Sequence, residues 1–394
     1  MKHARCLVPI LLVCSAAVAG LRGQDGSAPW SPAQQKGVDF LRQHQQDGVF
    51  AVKQDERSFP DPDFTGLALA ALQTKPAALR SKDEAETIDA GMRWLLKGQN
   101  EDGSFGQRVQ NYTTCAVVTA LARWPDASRD AALAKAQKYL LAIQHSERTG
   151  SSPSDVEYGG VGYGSKGERG DLSNLQFTIA ALRDTGLATD HEAFQRALTF
   201  LQRTQNLPAV NDLSGKLQTK GDGDKPVPVK SGDDGGAVYY PGESPAGFHE
   251  LPDGSRSPRS YGSMTYALLK TYTLCGIRGD DPRVQAAVKW IGANWTVVEN
   301  PGADKKLGDA ARFQGLYYYY LLLAQALEAA KLDTVSTMRD GKPVAVDWRA
   351  QLKQQLVALQ RPDGGWVNDK NNRWYENLDV LCTCYSLLAL SACR

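Results

Sequence analysis

The chain carries almost no net charge: its 394 residues hold 45 Lys and Arg against 44 Asp and Glu. With no basic excess to hold a phosphate backbone, nucleic acid is not expected as a partner. Histidine is scarce, five residues in all. His191 falls at the start of a predicted outer helix and His145 and His249 fall in loops, which gives poor support to Ser-His-Asp or Cys-His chemistry. Long apolar runs are missing as well. Leu7 to Val13 is too short to cross a bilayer, and no later segment is apolar enough to do so. Cysteine is too sparse, seven residues, to staple a small disulfide scaffold.

Those short apolar residues have another reading. Lys2, His3 and Arg5, then Leu7 to Val13, then Ala17-Val18-Ala19 before Gly20 have the order of a secretory signal over residues 1–19. Its removal takes two basic residues, Lys2 and Arg5, and turns the net charge from +1 to −1. A secreted or periplasmic location is expected, with no transmembrane segment in the mature chain. Cys115, Cys275, Cys382, Cys384 and Cys393 remain. That number is odd, so at least one is free or pairs between chains.

The composition, 42% apolar and 23% charged, is that of a folded globular chain. Its dominant feature is a repeat. An aromatic-Leu pair is followed by Gln five residues after the aromatic, then by a glycine turn and often an aromatic. Phe40-Leu41…Gln45 leads to Asp47-Gly48-Val49-Phe50, and Trp94-Leu95…Gln99 to Asp102-Gly103-Ser104-Phe105. Tyr139-Leu140…Gln144 leads to Gly159-Gly160, and Phe200-Leu201…Gln205 to Asp234-Gly235-Gly236. Trp290-Ile291…Trp295 with Asn300-Pro301-Gly302 is degenerate. Leu356…Gln360 with Asp363-Gly364-Gly365-Trp366 is the sixth. Helical apolar patterns flank every copy, which predicts twelve helices in six pairs, with little strand between them. One amphipathic pair cannot bury its own apolar face, but stacked pairs can. The second helix of each pair is the more apolar, so it belongs inside. The expectation is an all-α ring, one domain over residues 31–394, with loop insertions near 145–170 and 206–259.

This repeat resembles the Gln-Trp motif of squalene and oxidosqualene cyclases, and is similar to the helix pairs of protein prenyltransferase β subunits. The resemblance covers nearly the whole mature chain. It implies the α/α toroid (α6/α6 barrel) and a structural role for Gln45, Gln99 and Gln360 with Phe50, Phe105 and Trp366. It also implies an apolar or amphipathic ligand in a central cavity. The family's catalytic signatures are absent. No Asp-x-Asp-Asp acid motif is present: Asp61-Pro62-Asp63-Phe64 ends in the wrong residue. Asp233-Asp234 is not followed by the third Asp of a diphosphate-ionising motif. Asp379-Val380-Leu381-Cys382 has one residue too many for the prenyltransferase zinc set, and no His lies downstream. Complement-type thioester domains share the ring, but none of the cysteines sits in their Gly-Cys-Gly-Glu-Gln motif. No metal site is expected and no cofactor is indicated.

All six glycine loops lead into starts of inner helices, so they share one mouth, where six free helix N-termini favour an anion. Polar pairs stand there at i, i+3 spacing, among them Asp171 with Asn174 and Glu376 with Asp379. We take Asp171, Glu376 and Asp379 as candidate catalytic carboxylates. Asn111, Asn174, Tyr261, Tyr317 and Trp374 are candidate ligand contacts. Helix capping is the competing role for Asp171 and Asn111, and core packing with tied hydroxyls for the run Tyr317 to Tyr320. Two other functions fit the same residues. One is a carbohydrate-active helix-ring enzyme using inner-helix carboxylates, the other a non-catalytic interaction platform.

Overall fold

The computed structural model describes residues 30–54, 57–164, 167–221 and 224–394; the signal over 1–19 lies outside them. The chain is helical, with twelve α-helices among the described residues: α1 (Pro32–Gln43), α2 (Pro62–Leu72), α3 (Lys82–Lys97), α4 (Gln110–Ala122), α5 (Arg129–Ile143), α6 (Leu172–Asp184), α7 (Glu192–Thr204), α8 (Gly262–Leu274), α9 (Pro282–Ala293), α10 (Leu316–Ala329), α11 (Trp348–Leu359) and α12 (Asp379–Ala392). The degenerate fifth copy is a helix pair like the others.

Local chemistry sets where the helices begin. Ser31 caps α1 in a reciprocal box with Gln34, and Pro32 occupies the first turn, where its missing N–H costs nothing. Ser81 and Glu84 do the same for α3. The odd-numbered helices bury one stripe, Val38, Phe40 and Leu41 in α1 for instance. The even-numbered ones are buried nearly all round; α8 is buried from Gly262 through Tyr272. The difference fixes their layer. Each even-numbered helix packs on the next, α2 on α4, α6, α8, α10 and α12 in turn, and α12 returns against α2. The odd-numbered helices lie outside them, most bridging two: α3 touches α2 and α4, and α1 touches α12 and α2.

The repeat glutamines join one pair to the next. The Gln99 amide donates to Gly103 O (3.0 Å) in its own loop and to Ala132 O (2.9 Å) in the first turn of α5. Gln144 makes the same pair of bonds to Gly159 and Ala193, and Gln205 to Gly235 and Arg283. Gln360 bonds Gly364 O and Ala33 O, both at 2.8 Å, joining the last repeat to α1. The glycine loop presses on that same outer helix. Gly364 has φ +92°, and a Cβ there would run into the Lys36 carbonyl of α1. Thr65, Thr114, Thr265 and Thr383 hydroxyls accept from the backbone N–H of Phe50, Phe105, Ala237 and Trp366 at 2.9–3.1 Å, tying four loops to inner helices. Gln45 departs from the pattern: its bonds go to Arg42 O and from Gly48 N, both within its own repeat.

Strands occur where the sequence pattern suggested few. β1 (Gln45–Gln46), β2 (Val49–Gln54) and β3 (Arg57–Pro60) form one antiparallel sheet. The 206–259 insertion holds β4 (Leu217–Lys220), β5 (Pro226–Val229), β6 (Phe248–Glu250) and β7 (Arg256–Pro258) in the order β4-β5-β7-β6. β8 (Thr334–Arg339) and β9 (Lys342–Asp347) form a hairpin across Asp340-Gly341, both at positive φ, the conformation that Asp-Gly turns supply. All five described cysteines are free. No described helix is long and apolar enough to cross a membrane.

Replacing Gln360 by Ala takes the amide donor from the Gly364 carbonyl and the second of two donors from Ala33 O, which still accepts within its own helix. It should lower stability by about 2 kcal/mol or more, at the usual cost of unsatisfied buried groups. Gln45→Ala, which breaks no bond between repeats, should cost less. Urea unfolding of the two variants checks the order.

Candidate functional site

The lining of the ring can be read from which inner-helix residues keep partial solvent access. Among these, Asp63 and Leu67 on α2, Tyr112, Ala116 and Thr119 on α4, Phe177, Ala180 and Asp184 on α6, Tyr318, Gln325 and Glu328 on α10, and Tyr385 on α12 stand away from most of the helix ends. Spacings of three, four and seven place each set on one helix face. Outer helices cover the outward faces and inner neighbours the flanks, so these stripes look to the centre. Contacts across it agree. The Ser173 hydroxyl on α6 lies 2.7 Å from that of Tyr318 on α10, a helix two places away. The Phe177 and Tyr318 rings stack 6.0 Å apart. Tyr112 meets Phe177 edge-on at 5.3 Å, and Tyr385 lies 6.0 Å from Tyr318.

Besides Asp184 and Glu328, whose carboxyls burial raises, two further ionisable groups belong to this interior, and the sequence pairs did not point to them. Asp63 sits in the first turn of α2 behind its N-cap, Asp61, whose carboxylate accepts from the Asp63 and Phe64 N–H groups. Burial, and then repulsion by Asp61, raise the Asp63 carboxyl to about 7. It is close enough to Cys115, Cys384 and Tyr385 to act on all three electrostatically. Lys270 is 7% exposed on α8 and donates to Gln176 Oε1 (2.8 Å) and Gln325 Oε1 (2.7 Å). Burial lowers its amine to about 8.

Above the inner-helix starts opens a cleft of about 730 Å³, lined by Tyr163, Arg169, Asp171, Tyr239, Phe248, Arg373 and Trp374 among others. Arg169 lies 3.5 Å over the Tyr240 ring and pairs with Glu243 at 2.7 Å. Trp374 and Tyr375 are both left-handed (φ 60° and 64°) and exposed, and the Trp374 ring covers Gly315. Two consecutive non-glycine residues in that region hold strain of order 1–3 kcal/mol each.

The residues singled out from sequence fall into distinct roles. Asp171 lines the cleft floor, 2% exposed, and caps α6 through Asn174 N (2.8 Å) while accepting from Asn174 Nδ2 (2.7 Å). Burial raises its carboxyl. Asn111 donates to Asn174 Oδ1 (3.0 Å), so Asn111, Asn174 and Asp171 form one buried chain beneath the cleft. Tyr261 is the buried N-cap residue of α8. Trp374 reaches the cleft.

Glu376 and Asp379 serve separate partners. Glu376 precedes α12 rather than lying in it, so the shared helix face that an i, i+3 spacing suggests does not exist. Its buried carboxylate accepts from Tyr318 N (2.8 Å) and Asn368 Nδ2 (2.7 Å), and bonds the Tyr317 and Leu316 N–H groups. It thereby caps α10, whose own N-cap, Gly315, has no side chain to offer. Burial outweighs these donors and raises Glu376 to about 7. Asp379 opens α12, half-exposed, and meets Arg361 at 3.2 Å. Tyr317 is packed in the core edge-on to Tyr320, while Tyr318 is the tyrosine of the run that reaches the centre. Tyr319 and Tyr320 tie their hydroxyls to Thr296 O and Val297 O. The mouth does not offer six free helix starts: Asp61, Asp171 and Glu376 already occupy those of α2, α6 and α10. Among the described residues no cluster of three or more His, Cys, Asp or Glu side chains could hold a metal.

Comparison with known protein families gives no match, and comparison with curated proteins gives none either. Among solved structures the chain is similar to a variant of the type II terpene cyclase MstE from Scytonema, in complex with its substrate geranylgeranyl dihydroxybenzoate. The TM-score is 0.50 and the identity 14%, over 92% of this chain and 96% of that one. A protein from Actinoplanes aligns at 13% identity and TM-score 0.44, over 92% and 98%. The first likeness shows a terpene cyclase-like helical fold.

Glu376→Ala should destabilise the protein by about 1–3 kcal/mol, because it uncaps α10 and leaves buried donors unpaired. Asp379→Asn should stay within about 0.5 kcal/mol, as surface changes do. Thermal and urea unfolding distinguish the two.

Proposed function

We propose that the chain is a secreted or periplasmic α/α toroid of six helix pairs, and that its lumen takes up an apolar or amphipathic, isoprenoid-like ligand through the cleft at its mouth. The observation that carries this reading is the inner wall: Tyr112, Phe177, Tyr318 and Tyr385 in mutual contact across the centre, with Asp63 beside them. Aromatic faces suit both an isoprenoid chain and a cation formed on it. The substrate of the Scytonema enzyme, a geranylgeranyl compound, is of this class. Asp171 and Trp374 remain ligand contacts at the mouth, with Asn111 and Asn174 behind Asp171.

Asp63 is the acid in this proposal. Among the described residues no partner is bonded to its carboxyl, and a value near 7 keeps much of it protonated at neutral pH. It gives its proton to a ligand double bond, leaving a carboxylate on Asp63 and a carbocation against the aromatic wall. A proton lost from the cation restores the acid. The carbohydrate-active reading has less support, because Asp171 and Glu376 are engaged as caps.

Geranylgeraniol incubated with the purified protein should be retained in native mass spectrometry and give a cyclised product of unchanged mass. Since Asp63 must be protonated, turnover should hold below about pH 7 and fall roughly tenfold per pH unit above it. Asp63→Asn should bind the ligand and form no product. Absence of any retained ligand would overturn the lumen reading, and undiminished turnover by Asp63→Asn would remove Asp63 from it.

A further inference from the structure

Lys270 has no part in the chemistry above, yet it is the cation enclosed by the ring. It stands eight residues beyond the first residue of α8, roughly 12 Å along the helix at 1.5 Å per residue. The other residues of α8 are apolar or neutral. An ammonium has three N–H donors. Two are spent on the amide oxygens of Gln176 and Gln325, and the third has no acceptor among the described residues. The amine lies 5.8 Å from the centre of the Phe177 ring, which itself belongs to the lumen wall. The carboxylate that acts on it, Asp184, does so from a distance rather than by contact. A buried charge held only by neutral groups is costly. The burial that lowers this amine still leaves it mostly charged at neutral pH.

Gln176 is itself held. Gln176 Nε2 donates to the Tyr318 hydroxyl (3.2 Å), which meets Ser173, whose hydroxyl accepts from Tyr112 (2.8 Å). The lysine head is therefore fixed to the aromatic wall by a continuous polar chain, and its position is set before any ligand arrives.

We infer that Lys270 anchors a carboxylate at the leading end of the lumen ligand, so that the molecule is an apolar acid lying acid-end inward with its chain toward the mouth. One cation with one unspent donor matches one singly charged group. A diphosphate needs several cations, and Asp184 nearby opposes the added negative charge. The inference rests on the lumen-binding reading and adds the ligand's chemical class.

Farnesoic acid and farnesol, which share a chain and differ at the polar end, separate the two ideas in calorimetric titrations at pH 7. The wild type should bind the acid at least tenfold more tightly than the alcohol. Lys270→Met, which keeps length and removes the charge, should bind both equally, at the affinity of the alcohol. Lys270→Arg should retain the preference for the acid, which guards against reading a folding defect as a lost anchor. Equal binding of acid and alcohol by the wild type would overturn the anchor and leave the lumen reading standing. A preference for the acid that persists in Lys270→Met would also overturn it. Failure of both compounds to bind the wild type would overturn both.

Discussion

At four of the six junctions a single side-chain amide, that of Gln99, Gln144, Gln205 or Gln360, holds one repeat to the next. The glutamine at the end of an outer helix has two N–H groups and uses both, one on the glycine loop of its own repeat and one on the next outer helix. The geometry tolerates little else. The outer helix must end where the amide can turn, the loop must lack a Cβ where it meets the neighbour, and the next helix must present a first-turn carbonyl whose second lone pair takes the amide while the first serves its own ladder. Where the fifth copy replaces glutamine by Trp295, other contacts take over the junction. Gly292 of α9 is pressed against the Ser336 carbonyl of β8, and the Trp295 indole donates to Gln351. The β8–β9 hairpin thus sits at the junction whose repeat has no glutamine.

The lumen follows from this frame. Because junctions are made on the outside and at the loops, the inner helices are free to choose small residues on their flanks and large ones toward the centre. Gly66 of α2, for example, leaves no room for a Cβ against Val117 of α4. Capping groups come from the helix itself, as Asp61 and Asp171 do, or from across the structure, as Glu376 does for α10. Using carboxylates as caps removes them from chemistry. Among the described residues the interior keeps Asp63 and Lys270, one acid and one base on different helices, beside Asp184, which accepts from Thr119.

Much of the fold was legible in the residue order because most copies carry an aromatic-Leu pair with a glutamine five residues after the aromatic, followed at varying distance by a glycine turn. The site was legible only in part. Polar pairs at i, i+3 mark a face only if both members are helical, and Glu376, Asp171, Ser260 and Gln314 all precede their helices. Four consecutive tyrosines cover every direction, and the phase that turns Tyr318 inward is set by the Glu376 cap 58 residues away. The central stripes had a weaker signal that periodicity does hold: a lysine in the otherwise apolar or neutral α8, and Phe177 and Asp184 seven residues apart on α6. Reading it requires knowing which faces the outer helices cover. Asp63 was passed over because its motif is incomplete, whereas its environment depends on residues of α4 and α12 far along the chain.

The Gln360 to Ala33 bonds join residues 327 positions apart, and that has a consequence for how the molecule comes into being. A ribosome releases α1 long before α12 exists, so the first helix waits through nearly the whole of synthesis with one flank bare. Any incomplete chain is an open arc whose two raw edges are apolar and alike, and which fits another arc as readily as its own missing end. Manufacture, more than the finished ring, is the stage at which two chains are at risk of completing each other.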